Sequence, residues 1–494
     1  MKLFYMKSKL KYFLFTILFI IQFSCDGWLE LTPTNGLIRN EFWKSKEDVE
    51  AVLMSAYETF GDMNRELFLY GELRADFLAG DNNQPLDEQN IMENNIFPDN
   101  PFCDWGKFYS VINYCNEVIK NAPQVKEIDN TFTEFKLKSI VAEAYFMRSL
   151  TYFYLVRIFG DVPLILQPTD TDVAEFYLPK TTGEDVLNQI VEDLKNNRGF
   201  APSKEFLTLQ ERKGRASKAA FDALLADIEL WRFNYEEVLQ HVQRIELTEE
   251  YELMPTAKWF EIFYPGNSIE SIFELQFDES LDQPNSLAGI TGRFSNQYDP
   301  SQKSYLLFGA QFSMEVIRGE ESTITKYGEG EYGIWKYIGQ SPDGRTQRSG
   351  TDGSSANLII YRYADVLLMK AEALSQLNRF DESLIIINQL RDRAGVGLVS
   401  LANSTVTFED AIMQERALEL AYEGKRWFDL LRLGRRNNYA RKSTLIEVIV
   451  SNVPSTQKRI VAAKLTNPLG WYLPVFEDEI ENNRNMTQNP YYDN

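Results

Sequence analysis

The feature that most constrains the fold of this chain is a series of long helical patterns, several of which form pairs joined by very short turns. Apolar residues recur at helical spacing over eight stretches: 104–121, 134–159, 183–196, 216–232, 235–245, 361–377, 380–394 and 408–436. Ser45 followed by Asp48 predicts one more helix, over residues 45–60. Strand patterns are few, at 271–277 and 332–338. The sequence therefore predicts a mainly α-helical protein.

Two of the helix pairs share one arrangement of residue types. The turns are Phe233-Asn234-Tyr235 and Asn378-Arg379-Phe380, so an aromatic residue opens the second helix of each pair. The first helix of each pair carries small residues: Ala223 and Ala226, and Ala371 and Ala373. This is similar to the tetratricopeptide-type hairpin, in which small residues let two helices approach closely. A generic pair of antiparallel helices has much the same pattern, so both interpretations stay open.

Between residues 246 and 358 the helical signal fades, and Gly, Pro, Asn, Ser and Tyr dominate. This segment is too long for a simple loop, and a loop-rich segment over a helical scaffold is where ligand contacts are expected. Residues 61–103 are polar and Asn-rich and predict a second long ordered loop. We therefore predict a single domain over 25–494, with a helical scaffold (25–245 and 359–494) and a loop-rich insert (246–358) that carries a few short strands.

The amino terminus has the pattern of an export signal. Residues 1–24 contain four lysines and no acid, and the apolar run 12–21 is too short to span a bilayer. Ser24-Cys25 follows at the expected cleavage point and is similar to the lipobox of bacterial lipoproteins, although Gln22 stands where Leu is usual. We predict a lipoprotein signal peptide over 1–24 and an acylated Cys25 as the lipid anchor. An ordinary cleaved signal with an incidental Cys is the alternative.

The charge balance excludes several classes of function. The chain has 72 Asp+Glu against 51 Lys+Arg, a net charge of -21, which would repel nucleic acid. Removal of the four lysines in 1–24 makes the mature charge -25. A single histidine, His241, leaves little room for His-rich metal sites or His-based triads. Asp81-Asn82-Asn83 lacks the Gly and closing Glu of a calcium loop, so we predict no metal and no cofactor.

Three glutamates at four-residue spacing form the strongest enzyme-like pattern: Glu415, Glu419 and Glu423. Carboxylates one helical turn apart have the separation that glycosidases use. Arginines share the segment, however, and Glu423 with Arg426, or Asp429 with Arg432, would form i,i+3 ion pairs. We therefore predict a structural ion network and no catalytic residue, with an all-helical glycosidase as the rival hypothesis.

Three segments together carry a family resemblance. The first is 363–374 continued by 387–395, the second is 415–432, and the third is the tail 472–491. In this order, behind a lipoprotein-like start, they resemble the SusD/RagB family of outer-membrane lipoproteins from Bacteroidetes. The resemblance covers nearly the whole chain, with modest departures such as Val475-Phe476 in place of the usual Ile-Pro.

The resemblance implies a surface-exposed, lipid-anchored protein built on tetratricopeptide-like hairpins. Such a protein would sit as a lid on a SusC-like TonB-dependent transporter and capture a nutrient for import. The ligand would usually be an oligosaccharide or polysaccharide, and no enzymatic activity is implied. A peptide-binding protein of the same architecture and a purely structural helical-repeat adaptor are the alternatives.

Sugar recognition combines flat apolar faces with planar polar side chains, so loops that mix aromatic residues with Asn, Asp, Gln and Arg are candidates. Two stretches have this mixture, 94–100 and 293–299, and further aromatic residues follow at 327–335. The family resemblance implies ligand loops in the same two regions. The candidate ligand-binding residues are Phe97, Asn100, Arg293, Phe294, Tyr298, Tyr327 and Trp335.

Overall fold

The structure is a computed structural model that describes residues 42–493, except for 82, 170–176, 203–206, 292–296, 310–313 and 329–330. The predicted signal peptide, Cys25, Arg293 and Phe294 lie outside the described residues. Within these ranges no helix combines the length and the apolar character needed to cross a membrane.

The described residues form a mainly α-helical fold, as the sequence predicts. The helices before the insert are α1 (Lys46–Gly61), α2 (Asn64–Glu72), α3 (Leu86–Met92), α4 (Gly106–Ile128), α5 (Glu134–Phe159), α6 (Gly183–Asn197), α7 (Leu209–Gly214), α8 (Lys218–Trp231) and α9 (Tyr235–Glu246). The insert contributes α10 (Leu287–Thr291) and α11 (Gln302–Phe308). The helices after it are α12 (Tyr363–Gln376), α13 (Phe380–Arg393), α14 (Thr405–Glu419), α15 (Arg426–Tyr439), α16 (Lys442–Ser451), α17 (Lys458–Leu465) and α18 (Glu477–Asn482).

The described strands are short and form three antiparallel pairs. These pairs are β1 (Leu78–Gly80) with β3 (Tyr298–Pro300), β2 (Ser271–Leu275) with β6 (Leu358–Arg362), and β4 (Ile324–Gly328) with β5 (Glu331–Ile334). The first two pairs each join a strand of the insert to a strand of the scaffold. The third is a hairpin within the insert, in which Lys326 lies opposite Tyr332.

The predicted helical hairpins are confirmed. Helix α8 packs on α9 and α12 packs on α13, with Tyr235 and Phe380 as the first residues of the second helices. The four predicted alanines are fully buried: Ala223, Ala226, Ala371 and Ala373. Because an alanine side chain is a single methyl group, the paired backbones approach closely, and α9 then stacks on α12 to join the two hairpins.

The helix start that Ser45 and Asp48 predict is present in the structure. The Ser45 hydroxyl accepts a hydrogen bond from Asp48 N, and the Asp48 carboxylate accepts one from Ser45 N at 2.8 Å. This reciprocal capping box begins α1. Cys103 and Cys115 are buried free thiols.

The prediction of a loop over 61–103 is wrong. Helices α2 and α3 and strand β1 lie in this segment. Helix α2 is buried on nearly every side, including the polar residues Asn64 and Glu72, so it has no polar face that would reveal a helical period. Its Asn64 side chain accepts a hydrogen bond from Ser286 of the insert, which is a contact that local sequence does not encode.

The prediction of one helix over 408–436 is also wrong. Helix α14 ends at Glu419 and α15 begins at Arg426. Between them, Tyr422 (φ 62°) and Gly424 (φ 70°) have left-handed backbones. Helix α2 passes so close that a Cβ on Gly71 would lie 1.8 Å from the Gly424 carbonyl oxygen. Only glycine at position 71 permits this approach, which fixes the turn against α2.

Candidate ligand-binding surface

An aromatic pair lies on the surface of the insert. Tyr305 is on α11 and Tyr332 is on β5, and their ring centroids are 4.8 Å apart with an interplanar angle of 51°. Both residues are partly exposed. Partial burial and a hydrogen bond with Tyr305 raise the pKa of Tyr332 to about 12, so the Tyr332 hydroxyl is protonated at neutral pH. The pair therefore offers an apolar ring surface edged by hydroxyl groups.

Three carboxylates lie on or next to the neighbouring strands. Asp299 on β3 is opposite Ala79 of β1, and Asp81 follows directly after β1, where its backbone N donates to Gln297 O at 3.1 Å. Glu331 precedes Tyr332 on β5, which packs against β3. Burial and the charges of Asp81 and Glu331 raise the pKa of Asp299 to about 6. We call these five residues the tyrosine surface: Asp81, Asp299, Tyr305, Glu331 and Tyr332.

A buried layer beneath fixes the position of β3. Tyr298 points inward and its hydroxyl donates to Glu88 of α3, which also pairs with Arg65 at 2.6 Å. Ser301 begins α11 by accepting from Ser304 N, and this turn sets Tyr305 one helical turn after β3. The backbone between Asp299 and Tyr305 is therefore held on both sides.

The two predicted ligand stretches meet on α3. Asn100 donates to the carbonyl of Asp87 at 2.9 Å, and the neighbouring Glu88 binds Tyr298. Asn100 and Tyr298 are both buried, at 4% and 1% exposure, and each bonds to protein. The structure thus brings these two candidates together as supports of the surface, and neither presents a free face to a ligand.

The remaining described candidates lie in different surroundings. Trp335 is fully buried, and its Nε1 donates to Ser341 O at 2.7 Å. Tyr327 is half-buried with its ring over Gly333. Phe97 is 53% exposed and remains accessible, but its ring is not in contact with Tyr305 or Tyr332 in the described structure.

Tyr305 is not among the ligand-binding residues that the sequence predicts. Its segment, Gln302–Phe308, looks like any short amphipathic helix. The stacking partner Tyr332 lies 27 positions later, and only the docking of α11 against the β4–β5 hairpin brings the rings together. The one local signal is the high density of tyrosine between 298 and 337.

The glutamate row lies inside the protein, in a buried ion network. Its carboxylates are Glu270, Glu315, Glu415, Glu419 and Glu423, and its cations are Arg318, Lys336, Arg362 and Arg393. Arg362 alone contacts Glu270 at 2.5 Å, Glu419 at 2.7 Å and Glu423 at 2.8 Å. Glu270, Glu315, Arg318 and Lys336 belong to the insert, so the network joins the insert to the scaffold.

The predicted structural ion network is therefore confirmed, with different partners. Asp429 pairs with Arg432 at 2.9 Å as predicted, but Glu423 does not pair with Arg426, because the chain turns between α14 and α15. Arg426 instead binds Asp76 at 2.8 Å. Burial alone would raise the pKa of Glu419, but Arg393, Arg362 and Arg318 hold it well below the usual range. A fully buried carboxylate that stays ionised cannot serve as a general acid.

The carboxylates of the tyrosine surface are not arranged as a metal site. Among the described residues, no group of three Asp, Glu, Cys or His side chains is placed to hold a metal ion. The chemistry that the surface supports is therefore recognition: two aromatic rings that can contact C–H groups, and carboxylate oxygens that can accept hydrogen bonds from hydroxyl groups.

Two family models together match most of the chain. One, described as "SusD family", matches residues 255–492, and the other, described as "Starch-binding associating with outer membrane", matches residues 27–230. SusD-like protein P38 of Formosa agariphila is 27% identical over 464 residues, which cover 83% of this chain and 88% of the relative. A SusD-like protein of Bacteroides ovatus is 26% identical, over 86% of this chain and 82% of its own.

Solved structures have the same fold. A SusD superfamily protein from Bacteroides thetaiotaomicron superposes with a TM-score of 0.72 at 24% identity, over 91% of this chain and 99% of its own. A protein described as a laminarin binding SusD-like protein gives 0.71 at 23% identity, over 90% and 99%. From the two matched models, the curated relatives and the shared fold, this chain is a member of the SusD/RagB family.

Proposed function

We propose that this chain is a lipid-anchored binding protein of the outer membrane that captures a glycan at the cell surface and delivers it to a SusC-like TonB-dependent transporter. The observation that carries the proposal is the tyrosine surface, a partly exposed aromatic pair with neighbouring carboxylates, most of it on the loop-rich insert of a SusD fold. The laminarin-binding neighbour and the description of the matched starch-binding family support a glycan as the ligand.

The physical basis is the two-sided chemistry of a sugar ring. Its C–H groups form an apolar face that can pack on Tyr305 and Tyr332, while its hydroxyl groups donate hydrogen bonds to carboxylates such as Asp299 and Asp81. Behind the surface, Tyr298 donates a hydrogen bond to Glu88, and Glu88 pairs with Arg65. The surface is therefore held in place before a ligand arrives, which reduces the entropy cost of binding.

The same proposal assigns no catalysis. The glutamates at 415, 419 and 423 are buried at 4% exposure or less and are paired with cations of the network. A substrate would have to open the contact between the insert and the scaffold to reach them. If the glycosidase hypothesis were correct, the purified protein would release products from oligosaccharides and Glu419→Gln would abolish that release.

Binding is tested by isothermal titration calorimetry and affinity electrophoresis of the mature protein against a panel of neutral and charged polysaccharides and a tryptic protein digest. We expect binding to at least one polysaccharide, weakened by Tyr332→Ala. The control is Phe135→Ala, which removes a 59% exposed aromatic ring on α5. Absence of binding to every polysaccharide would contradict the proposal, and binding to the digest alone would favour the peptide-binding alternative.

Anchoring and partnership are tested separately. We propose that the mature chain begins at Cys25 and forms one domain to residue 494, so mass spectrometry of the membrane fraction should find an acylated Cys25. Cys25→Ala should release the protein from the membrane. Solubilised wild-type protein should co-purify with a large outer-membrane β-barrel, whereas an adaptor independent of a transporter would not. An unacylated first residue would contradict the anchor without affecting the binding result.

A further inference from the structure

We infer that a second glycan-binding site lies in a cleft between α1, α7 and the first part of the insert. The inference rests on the proposed function, because it concerns where the same class of ligand binds. The cleft has a volume of about 500 Å³, within the range of about 300–1,000 Å³ that is usual for ligand sites. Its lining comes from the segments 54–62, 210–215, 275–277 and 282–284, all of them within the described residues. We call it the α1–α7 cleft, and it shares no residue with the tyrosine surface.

The floor of the cleft is held by polar contacts that are complete within the protein. Tyr57 of α1 lines the cleft, and its hydroxyl donates to Glu143 at 3.0 Å and accepts from Ala216 N at 3.1 Å. Arg215 binds the same Glu143 at 2.7 Å and Glu50 at 3.1 Å. Because the Tyr57 hydroxyl and the Arg215 charge are both used in this way, the floor offers a ligand ring surface in place of a free charge.

The wall on the side of the insert is fixed by amide side chains. Gln276 Oε1 accepts from Asn267 Nδ2 at 3.0 Å and from Asn357 Nδ2 at 3.2 Å. Gly214 of α7 lets this wall approach, since a Cβ at that position would lie 2.7 Å from Gln276 Cγ. Within the described part of the chain, Gln276 Nε2 donates one hydrogen bond, to Glu274 O at 3.4 Å. An amide nitrogen carries two N–H groups, so one remains for a ligand.

The far edge of the cleft is tied to the end of α1 through Asn64. Its Nδ2 donates to Gly61 O at 2.9 Å, and its Oδ1 accepts from Ser286 N at 3.1 Å. Residues 282–284 are therefore held beside the end of α1 by a side chain that bonds to both segments. Each wall is in place before a ligand arrives, which lowers the entropy cost of binding.

The lining combines the two kinds of surface that a sugar ring requires. Phe277 and Pro284 supply apolar surface on the side of the insert. The side chains of Gln210, Gln283 and Asp62 are exposed and bring amide and carboxylate groups to the same cleft. Apolar side chains contact the C–H face of a sugar, while planar amides and carboxylates bond to its hydroxyl groups. The ligand class that fits this lining is a short segment of a glycan chain.

A second site doubles the number of short ligands that one chain can bind. An oligosaccharide of about six sugar residues is prepared by limited hydrolysis of the polysaccharide that the wild-type protein binds. Calorimetry and native mass spectrometry then count the oligosaccharides bound per chain. We expect two for the wild type, of which Tyr332→Ala weakens one.

Gly61→Trp should remove the other, because it places a large side chain in the cleft without a clash at its base. A Cβ at Gly61 would have no atom within 4 Å. We expect one oligosaccharide per chain, and binding of the parent polysaccharide weakened at least about threefold, since linked sites add avidity. The matched control is Gly199→Trp just after α6, where a Cβ also meets no atom within 4 Å, and it should still bind two.

A second variant tests the cleft from its opposite wall. Phe277→Ala combined with Gln283→Ala removes apolar and amide surface and should also leave one oligosaccharide per chain. It stands in for Gly61→Trp if thermal unfolding shows that the tryptophan disturbs the fold.

The outcomes separate this inference from the proposed function. One oligosaccharide per wild-type chain, lost in Tyr332→Ala and kept in Gly61→Trp, would overturn the second site and leave the proposed function intact. Two oligosaccharides that both cleft variants retain would overturn it too. Binding of a tryptic digest, but of no oligosaccharide, that Gly61→Trp abolishes would show that the cleft takes peptides and would also overturn the inference. Absence of binding to every polysaccharide in the panel would contradict the proposed function itself.

Discussion

In the buried ion network every carboxylate has a cation at 2.5–2.8 Å, whereas on the tyrosine surface Asp299 faces two further carboxylates. Both regions include residues of the insert, and both concentrate acidic side chains. The network contains four cations among five glutamates and holds the insert on the scaffold. The tyrosine surface contains three acids and no cation of its own.

The difference shows which charges serve the fold. A buried ion must be paired, because the free energy of desolvation is otherwise too high. A half-exposed carboxylate keeps part of its hydration and can tolerate like neighbours at a modest cost in stability. Acids that face like charges near partly exposed aromatic rings therefore favour a surface shaped for a ligand, whereas the paired row at 415–423 indicates a structural joint.

The largest expected effect comes from removing the central cation of the network. Arg362→Met leaves Glu270, Glu419 and Glu423 without their shared partner, so we expect the free energy of unfolding to fall by about 3–5 kcal/mol. Urea denaturation followed by circular dichroism measures it. The control is Arg379→Met, which removes an exposed pair with Glu382 and should cost about 0–1 kcal/mol. Equal effects of the two variants would contradict the role assigned to the network.

Glu72 tests the comparison from within the core, because it is a buried carboxylate with which no Lys or Arg of the described residues forms an ion pair. Its Oε1 accepts from Gly424 N at 3.0 Å, and burial raises its pKa to about 8. The folded state therefore holds a proton that the unfolded state releases above about pH 4.5. Stability is consequently lost as the pH rises from about 5 to 8.

Glu72→Gln mimics the protonated acid and should remove this loss. Relative to wild type, the variant should gain at most about 1.4 kcal/mol of unfolding free energy per pH unit across that window. Urea denaturation at pH 5.5 and pH 7.5 measures the difference, with Glu58→Gln on α1 as an exposed control. A constant difference between variant and wild type at both pH values would show that Glu72 is ionised in the core.

The third prediction concerns the contribution of the Tyr332 ring to glycan affinity. Tyr332→Ala should weaken binding of the glycan by at least about tenfold, or about 1.4 kcal/mol, as expected for an aromatic hot spot. Tyr332→Phe should keep most of the affinity, because the ring and its packing on Tyr305 remain. Calorimetry measures both, and thermal unfolding checks that the fold is intact. A larger loss for Phe than for Ala would show that the hydroxyl, and not the ring face, carries recognition.

The parts of the fold that the sequence predicted are those determined locally. Helix α5 and the hairpins α8–α9 and α12–α13 follow from apolar periodicity and short turns, which need no information from distant residues. Helix α2 was missed because its polar residues are buried in tertiary hydrogen bonds. The turn at Tyr422–Gly424 was missed because it depends on Gly71, more than 350 positions away along the chain.

The candidate site was predicted less well, for a related physical reason. Aromatic and amide residues in an insert serve either to seal the interior or to meet a ligand, and composition does not separate the two uses. Tyr298 and Trp335 are buried, whereas Tyr305 and Tyr332 are partly exposed, although all four lie in similar tyrosine-rich sequence. The distinction arises from the pairing of β1 with β3 and the register of β4 with β5, which are contacts between distant segments.

The smallest expected effect is a gain in stability when one like charge of the tyrosine surface is removed. Asp81→Asn removes a negative charge that faces Asp299, so the folded state loses repulsion and its free energy of unfolding should rise by a few tenths of a kcal/mol, about what surface charge changes give. Thermal unfolding at pH 7.5 measures it, and the gain should shrink below pH 6, where Asp299 is already protonated. Asp129→Asn is a control with the opposite expected sign. Hydrogen bonds from Lys46 N and from Thr131 lower the pKa of Asp129, so removal of this carboxylate should destabilise the folded state. If both variants destabilise, Asp81 is a structural acid. If Asp81→Asn stabilises while it weakens glycan binding, the repulsion on the tyrosine surface is a cost in stability that is retained for recognition.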